Sequence, residues 1–376
     1  MFRLTSHRYV VAASAAVLAL GLTTSASAQK YGKPGDPVTL TVGYQPYYTQ
    51  AWSALVMEGK ELWKKKLPPG SKVTFQVGLQ GAIIVGQMLA GKQDIGYMGD
   101  MPSMNAVSRP EVADLRIVAN LGLSQSHCNV FFVKKDAPEF KDPIDAVKWM
   151  AGKRVATPHG SCTDRFARLA FETLGVKPKD YLNQNIEVMS TNFQAGKLDA
   201  GITWEPPASD LIEKGIARRV ASGANFKADD AGFLVFNYEL MKTRPDVLRG
   251  WMEAELDAQL WVADSKNAAE MTKLAKERTT GMSELALWKS HYWRAPNSMG
   301  GHDVKDTKYY ALHDNVKKLM SDGAAFLHKF KKLPKPSLRP EAFDDSVARA
   351  ILKERGLTSP VAIVKGQPES AFPLKK

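Results

Sequence analysis

Short apolar runs of strand length alternate along this chain with segments whose apolar residues recur at helical spacing. The runs that predict strands are 39–42, 73–77, 95–98, 115–119, 129–133, 155–157, 186–189, 200–203 and 233–236. Most of the intervening segments show the helical period of about 3.6 residues. This alternation predicts an α/β fold whose sheets carry helices on both faces.

Residues 78–106 show this pattern most clearly. A glycine-flanked turn opens one helix, a buried strand follows, and a second turn opens another helix. Asp100 is predicted to cap that second helix, which would begin at Met101. Helix N-termini carry unpaired N–H groups, so two converging helix starts predict a site for a small polar ligand. The candidate ligand contacts here are Gln80, Gly81, Asp100 and Met101.

The N-terminus predicts export. Arg3 and Arg8 give a basic start, residues 10–22 are apolar, and Ala26-Ser27-Ala28 is a small-residue cleavage site. The apolar run is too short to span a bilayer core, which needs about 20 apolar residues. We therefore expect a signal peptide over residues 1–28, cleaved after Ala28, and a periplasmic mature protein. No cysteine stands at the cleavage point, where Gln29 follows Ala28, so no lipid anchor is indicated.

Composition limits the possible functions. Removing residues 1–28 from the 376 leaves 348 residues, a length that suits roughly two domains. It also removes two of the 51 lysines and arginines and none of the 39 acidic residues, so the net charge is 49 − 39 = +10. The basic residues are dispersed, and no zinc-finger spacing or RNP-like motif is present. We therefore expect a solvated basic surface and no nucleic-acid partner.

Three segments carry a family resemblance: LAGKQDIGYMGD at 89–100, MAGKRVATPHGSCTDRFARLAFETLGV at 150–176 and AGKLDAGITWEPPASDLIEKG at 195–215. In this order they resemble the nitrate/sulfonate/taurine class of periplasmic substrate-binding proteins, which serve ATP-binding-cassette (ABC) importers. The resemblance runs from about residue 38 to residue 330.

The resemblance implies a two-lobed type II periplasmic binding fold, with a cleft between the lobes and a two-strand hinge. The implied boundaries are 38–128 plus 232–330 for lobe one, 134–227 for lobe two, 129–133 and 233–236 for the hinge, and 331–376 for a proline-rich wrapping segment. The implied function is capture of a small organic solute, such as a sulfonate, a taurine-like zwitterion or a carboxylate. Lobe closure would deliver this solute to a membrane permease and its ATPase, and we expect a monomer with no cofactor.

In lobe two, Ser161 stands at an expected helix N-cap and Asp164 follows three residues later. Capping accounts for both residues and is the favoured interpretation of Asp164. The resemblance adds a ligand-binding role for Ser161, Cys162 and Thr163, because the second lobe of the family meets its ligand at this turn.

Aromatic residues follow two predicted strands at the ends where α/β folds place ligands. Trp204 could stack on an organic group and Glu205 could accept a hydrogen bond or balance a cation. A buried tryptophan with a helix-capping glutamate is an equally good interpretation. After the first strand the candidates are Tyr44, Gln45 and Tyr47, with Tyr48 and Trp52 nearby, and one or two of these aromatic residues are expected in the core.

Acidic residues affect the expected ligand. Asp100, Asp164 and Glu205 lie at the predicted rim, and Arg165 is the one arginine in these turns. Uncompensated carboxylates would repel a bare oxyanion, so a zwitterion, an amide or heterocycle, or an organic sulfonate bearing a donor fits better than nitrate.

The two cysteines allow three interpretations. Cys128 follows His127, itself a candidate ligand contact, and Cys162 lies three residues after His159. A disulfide or two packed free thiols are the simpler interpretations in an oxidising compartment. A metal site of two thiolates and two imidazoles is the least favoured, because its ligands would have to converge across the cleft.

Two other functional classes remain as alternatives. An enzyme on the same fold could act on a small heterocycle or a pyrimidine precursor, although the chain has no G-x-S-x-G, H-E-x-x-H or phosphate-loop motif. A periplasmic sensor protein is the other alternative, but the chain carries no kinase.

Overall fold

The computed structural model describes residues 30–374, so the predicted signal peptide lies outside the described residues. The strands are β1 (Thr39–Tyr44), β2 (Lys72–Val77), β3 (Ile95–Gly99), β4 (Leu115–Ser124), β5 (Val130–Lys134), β6 (Arg154–Thr157), β7 (Asp180–Asn183), β8 (Ala200–Thr203), β9 (Ala217–Ser222), β10 (Asp230–Asn237), β11 (Val304–Lys308) and β12 (Ala362–Lys365). The helices are α1 (Ser53–Gly59), α2 (Gly81–Leu89), α3 (Asp100–Val107), α4 (Pro143–Lys148), α5 (Cys162–Leu174), α6 (Ile186–Gln194), α7 (Pro207–Glu213), α8 (Tyr238–Thr243), α9 (Pro245–Ala263), α10 (Ala268–Arg278), α11 (Glu284–Tyr292), α12 (Asp314–Lys329) and α13 (Ser346–Glu354).

Within residues 30–374 the strands form two sheets. The large sheet has the order β12-β11-β4-β10-β3-β1-β2, and the small sheet has the order β7-β6-β8-β5-β9. In the large sheet β1 is parallel to β2 and β3, whereas β10 is antiparallel to both of its neighbours, β3 and β4. In the small sheet β6 is parallel to β7 and β8, and β5 is antiparallel to β8 and β9. The predicted α/β class is confirmed.

The chain passes between the two sheets twice, through residues 125–129 and 223–229, which we call the crossing segments. The segments implied as hinge strands lie beside these crossings. Residues 130–133 belong to β5 in the small sheet, and residues 233–236 belong to β10 in the large sheet.

Several boundaries differ from the pattern-based prediction. Residues 186–189 lie in helix α6 and not in a strand, because the Asn185 side chain caps this helix by accepting from the Val188 N–H. Helix α3 begins at Asp100 itself, with Gly99 as the N-cap residue. Strands β7, β9 and β11 were not predicted, because polar residues interrupt their apolar pattern. Strand β12 was not predicted either, although residues 362–364 are apolar, because it lies in the segment interpreted as wrapping the surface.

The C-terminal segment adds regular structure to the large sheet. Strand β12 pairs antiparallel with β11 and forms one edge of the sheet. Beyond it, the Phe372 ring packs on Trp288 at a centroid distance of 5.6 Å. This segment therefore contributes a strand and does more than wrap the surface.

The core lies on both faces of the sheets. Trp52, Trp251 and Trp288 are fully buried in the cluster that covers one face of the large sheet, and a second cluster of methionine, leucine and phenylalanine side chains covers the other face. Phe131 and Phe166 anchor the packing of α5 on the small sheet. Among residues 30–374, no helix has the length and apolar character needed to cross a membrane.

Candidate functional site

A cavity of about 100 Å³ lies where helix starts from the two sheets meet. Its walls follow the carboxyl ends of β1, β3, β6 and β8, the edge at which α/β sheets place ligands. The lining residues are Gln45, Tyr48, Gln80, Gly81, Ala82, Gly99, Pro102, Pro158, His159, Gly160, Ser161, Cys162 and Trp204.

Helices α2 and α5 begin at this cavity, which is also lined by Gly99, the N-cap residue of α3. Helix α2 begins at Gly81 after an extended Gln80, and no side chain caps it. Helix α5 begins at Cys162, and the Ser161 hydroxyl caps it by accepting from the Asp164 N–H at 3.4 Å. The positive ends of both helix dipoles and the uncapped N–H groups of α2 favour a negatively charged or acceptor-rich ligand.

The cavity brings together six of the predicted ligand contacts: Gln45, Gln80, Gly81, Ser161, Cys162 and Trp204. It also includes Tyr48, Pro102 and His159, which the candidate set omitted. Tyr48 is one of the aromatic residues that follow the first strand, but the sequence alone does not show which of Tyr44, Tyr47 and Tyr48 lines the cavity. The turn from Pro158 to Gly160 could have been recognised from its proline and its glycine, which adopts a φ of +80°.

Two other aromatic candidates lie outside this cavity. Tyr44 is buried in the core, donates to Glu58 Oε2 at 2.7 Å and packs edge-on against Phe75. The Tyr47 hydroxyl accepts from the Thr280 N–H at 3.1 Å and borders a separate cavity.

Met101 and Thr163 serve the packing beneath the cleft. Met101 is fully buried in the core cluster against Gly323, where a Cβ would collide with its methyl group. The Thr163 hydroxyl is 2.7 Å from that of Thr157 and 2.6 Å from that of Ser161, so it orients the capping residue.

The three rim carboxylates are compensated, contrary to the expectation from the sequence. Asp100 Oδ2 lies 3.4 Å from Arg165 Nη2. Burial raises the pKa of Asp100, and the charge of Arg165 opposes that rise. Asp164 accepts from Arg168 Nε and Tyr181 Oη, both at 2.7 Å.

Glu205 is also paired. Its Oε1 lies 3.1 Å from Arg219 Nη1, and its Oε2 accepts from the Ser209 N–H at 2.9 Å. Burial lowers the pKa of Arg219, and the adjacent Glu205 carboxylate opposes that effect. Glu205 thus holds a buried arginine and satisfies an N–H in the first turn of α7, and it does not line the cavity.

The cavity wall has polar groups but no ionised side chain. None of the lining residues is lysine, arginine, aspartate or glutamate. Gln45 Oε1, Trp204 Nε1 and His159 Nε2 are buried atoms without a hydrogen-bond partner among the described residues. Burial lowers the pKa of His159, so its imidazole is neutral near pH 7. A ligand here would be recognised by uncharged groups and helix N-termini.

The cysteines form a disulfide, Cys128–Cys162, with a Cα–Cα distance of 6.0 Å. Because the sulfurs are bonded to each other, the four-ligand metal site and the free thiols are both excluded for this form. The Cys128 N–H donates to Asp230 Oδ2 at 2.9 Å. The disulfide therefore ties the start of α5 to the first crossing segment.

His127, a predicted ligand contact, does not line the cavity and is fully buried. Its ring stacks on that of His291 with centroids 5.0 Å apart. Burial lowers the pKa of both imidazoles well below 6.5, so both are neutral at pH 7. Asp306 is buried beside them and pairs with Lys308 at 2.6 Å.

The two sheets, the crossing segments and the cavity between helix starts define the fold of two-lobed periplasmic binding proteins. The NMT1-like family profile matches residues 33–276, which is more than half of the chain. The protein belongs to the NMT1-like family.

Sequence relatives are distant. A protein of Brucella abortus (strain 2308) described as a binding protein is 25% identical over 222 residues, covering 57% of this chain and 64% of that protein. A protein of Escherichia coli (strain K12) described as an aliphatic sulfonates-binding protein is 24% identical over 219 residues, covering 58% of this chain and 65% of its own. The match thus spans slightly less than two thirds of these curated relatives.

Solved structures match more of the chain. The alkanesulfonate-binding protein SsuA from Xanthomonas axonopodis pv. citri, bound to MOPS, has a TM-score of 0.62 at 20% identity, covering 82% of this chain and 98% of its own. The nitrate-binding protein NrtA from Synechocystis PCC 6803 has a TM-score of 0.67 at 14% identity, covering 91% and 99%. The desulfurization enzyme DSZB has a TM-score of 0.58 at 16% identity, covering 84% and 99%. At these identities the likeness shows the fold.

Proposed function

We propose that this protein is the periplasmic solute-binding component of an ABC importer. The observation that carries the proposal is the cavity into which α2, packed on the large sheet, and α5, packed on the small sheet, both direct their N-termini. A solute in this cavity contacts both parts of the molecule at once. Closure about the crossing segments would bury the solute, and the closed form would dock on a membrane permease.

The proposed ligand is a small organic solute with an oxyanion head, such as a sulfonate or a carboxylate. Its head would accept from the N–H groups at the starts of α2 and α5, and its organic part would contact Tyr48, Pro102 and Trp204. Because Asp100, Asp164 and Glu205 are paired with arginines, the rim does not require a cationic group on the ligand. The sulfonate-binding names of the E. coli relative and of SsuA support this ligand class.

We propose binding and not catalysis, although the desulfurization enzyme DSZB has a similar fold. The sulfur of Cys162, which lines the cavity, is held in the disulfide and is not a nucleophile in this form. The Ser161 hydroxyl contacts the Pro158 carbonyl and the Thr163 hydroxyl, both at 2.6 Å. Among the described residues, no imidazole or carboxylate is hydrogen-bonded to that hydroxyl in the position of a general base.

Native mass spectrometry of the protein purified without refolding tests the proposal, because a retained solute would be weighed directly. Calorimetry with taurine, an alkanesulfonate, a carboxylate and nitrate would then rank the ligand classes. We expect one solute per chain and no turnover of it. Turnover of a bound compound, or no binding across this panel and no retained mass, would contradict the proposal.

A tryptophan pair provides a matched comparison. Trp204→Phe keeps an aromatic surface in the cavity and removes the unpartnered Nε1–H. Trp288→Phe removes an equally buried and unpartnered Nε1–H from the core. We expect weaker solute binding in the first variant and unchanged binding in the second.

A further inference from the structure

A cluster of metal-binding side chains lies outside the ligand cavity. His127 in the first crossing segment, His291 on α11 and Asp306 on β11 are all fully buried. One ligand atom from each residue lies within 4.8 Å of the other two. His127 Nδ1 is 3.9 Å from Asp306 Oδ2.

Both imidazoles lack partners. Neither Nδ1 nor Nε2 of His127, nor either ring nitrogen of His291, has a hydrogen-bond partner among the described residues. Buried polar atoms are normally satisfied by protein, water or an ion, so four such nitrogens in two stacked rings require an explanation.

The carboxylate is held close to the histidines. Asp306 Oδ2 is 2.6 Å from Lys308 Nζ, whereas Oδ1 has no hydrogen-bond partner. Strand β4 approaches this carboxylate through Gly122, where a Cβ would collide with it. Because Gly122 has no side chain, the Asp306 carboxylate can occupy this space.

We propose that His127, His291 and Asp306 form a structural site for one zinc ion. Two imidazoles and one carboxylate are a donor set that zinc uses, with a water molecule as the fourth ligand. Tetrahedral coordination at about 2.0–2.2 Å places ligand atoms roughly 3.4 Å apart, so small side-chain shifts from the present spacing are sufficient. Asp306 would bridge the metal and Lys308.

The site would fix the first crossing segment to the large sheet. His127 precedes Cys128, whose disulfide holds the start of α5, whereas Asp306 lies on β11 of the large sheet and His291 lies on α11, which contacts β11. Zinc bound here would stabilise the first crossing segment without contacting the solute.

The first test is metal content and stability. Protein stripped with a chelator, incubated with zinc and desalted should retain one zinc per chain by elemental mass spectrometry, and its melting temperature should rise by several degrees. His127→Gln and His291→Gln should lose both effects. His313→Gln, which changes an exposed histidine at the N-cap of α12, should retain both. Equal zinc retention in all four proteins would overturn the proposal.

A second measurement does not depend on folding of the variants. Crystals of the wild-type protein grown with zinc should show an anomalous peak at the zinc absorption edge, bonded to His127, His291 and Asp306. Ordered water at that position in the presence of zinc would overturn the proposal. So would an anomalous peak found only on surface side chains.

Discussion

Glu205 and Arg219 form an ion pair that is almost completely removed from water: Arg219 Nη1 lies 3.1 Å from Glu205 Oε1, and the two side chains are 3% and 1% exposed. Arg219 also donates to the Met299 carbonyl at 3.0 Å. The pair joins β9 to the turn that precedes α7, at the residue directly after Trp204. Glu205 therefore holds the cavity wall in place from outside the cavity.

Replacing Glu205 with glutamine should mainly lower stability. The substitution leaves the guanidinium of Arg219 buried without a counter-charge, which costs about 3 kcal/mol or more. Chemical denaturation should show this loss, while solute affinity at a temperature where the variant is folded should change little. A Glu205→Leu/Arg219→Met double variant should recover most of the stability. A large loss of affinity with unchanged stability would instead place Glu205 in contact with the solute.

Breaking the disulfide should destabilise the protein. The bonded cysteines are 34 residues apart in sequence, and closing a loop of this length is worth about 4 kcal/mol in the chain-entropy treatment. Denaturation of the wild type with and without reductant should show a loss of this order. A Cys128→Ser/Cys162→Ser variant should unfold at the lower denaturant concentration whether or not reductant is present. Reductant-independent stability of the wild type would contradict the disulfide.

Ser161 should affect both stability and binding. Ser161→Ala removes an N-cap, which costs about 1 kcal/mol of stability, and it also removes a hydroxyl from the cavity wall. Ser283→Ala removes the equivalent cap from α11, away from the cavity. We expect similar losses of stability and, for Ser161→Ala alone, a loss in binding free energy of roughly 1.5 kcal/mol, the lower range for a hydrogen bond to a charged group. Calorimetry with an alkanesulfonate would separate the two variants, and equal affinities would restrict Ser161 to capping.

Glu255 should make stability depend on pH. Burial raises its pKa to about 7, although Gln259 and Tyr97 donate to its carboxylate and oppose that rise. Between about pH 4.3, where an unfolded glutamate titrates, and pH 7, the folded state keeps a proton that the unfolded state has released. The free energy of unfolding should therefore fall as the pH rises through this interval, by about 4 kcal/mol in total.

The Glu255→Gln variant isolates this contribution, because the buried histidines titrate with the opposite sign. Unfolding free energies of both proteins should be measured from pH 5 to pH 8. The wild type should lose stability relative to the variant as the pH rises. A difference between the two curves that does not change with pH would contradict a proton held by Glu255.

Local signals in the sequence predicted the helix starts well. Ser161 caps α5 as expected, and the turn before Gly81 opens α2, because capping and helix spacing depend on residues only a few positions apart. The prediction of a strand at 186–189 was wrong for a related reason. Such a short run fits a strand or a helix equally well, and the cap at Asn185 decides the outcome.

The partners of the rim carboxylates could not be read from the sequence. Asp100 pairs with an arginine 65 positions away, and Glu205 pairs with Arg219 on a strand whose apolar pattern is broken by that same arginine. The Asp306 carboxylate lies more than 170 residues from His127. Pairings of this kind follow from the sheet order, which propensity and periodicity do not determine.

The position of β10 determines which sheet can be completed first as the chain is synthesised. This strand lies between β3 and β4, yet in the chain it follows all strands of the small sheet. Residues 130–222 are continuous and supply every strand of the small sheet, so that sheet can be assembled from its own segment. The large sheet cannot form completely until β10 pairs with both β3 and β4. Strand β12, near the C-terminus, then forms the edge of the sheet beside β11. A chain that emerges N-terminus first therefore has the contacts of its small sheet available before those of its large one, and loss of residues after 361 would leave β11 as an open edge.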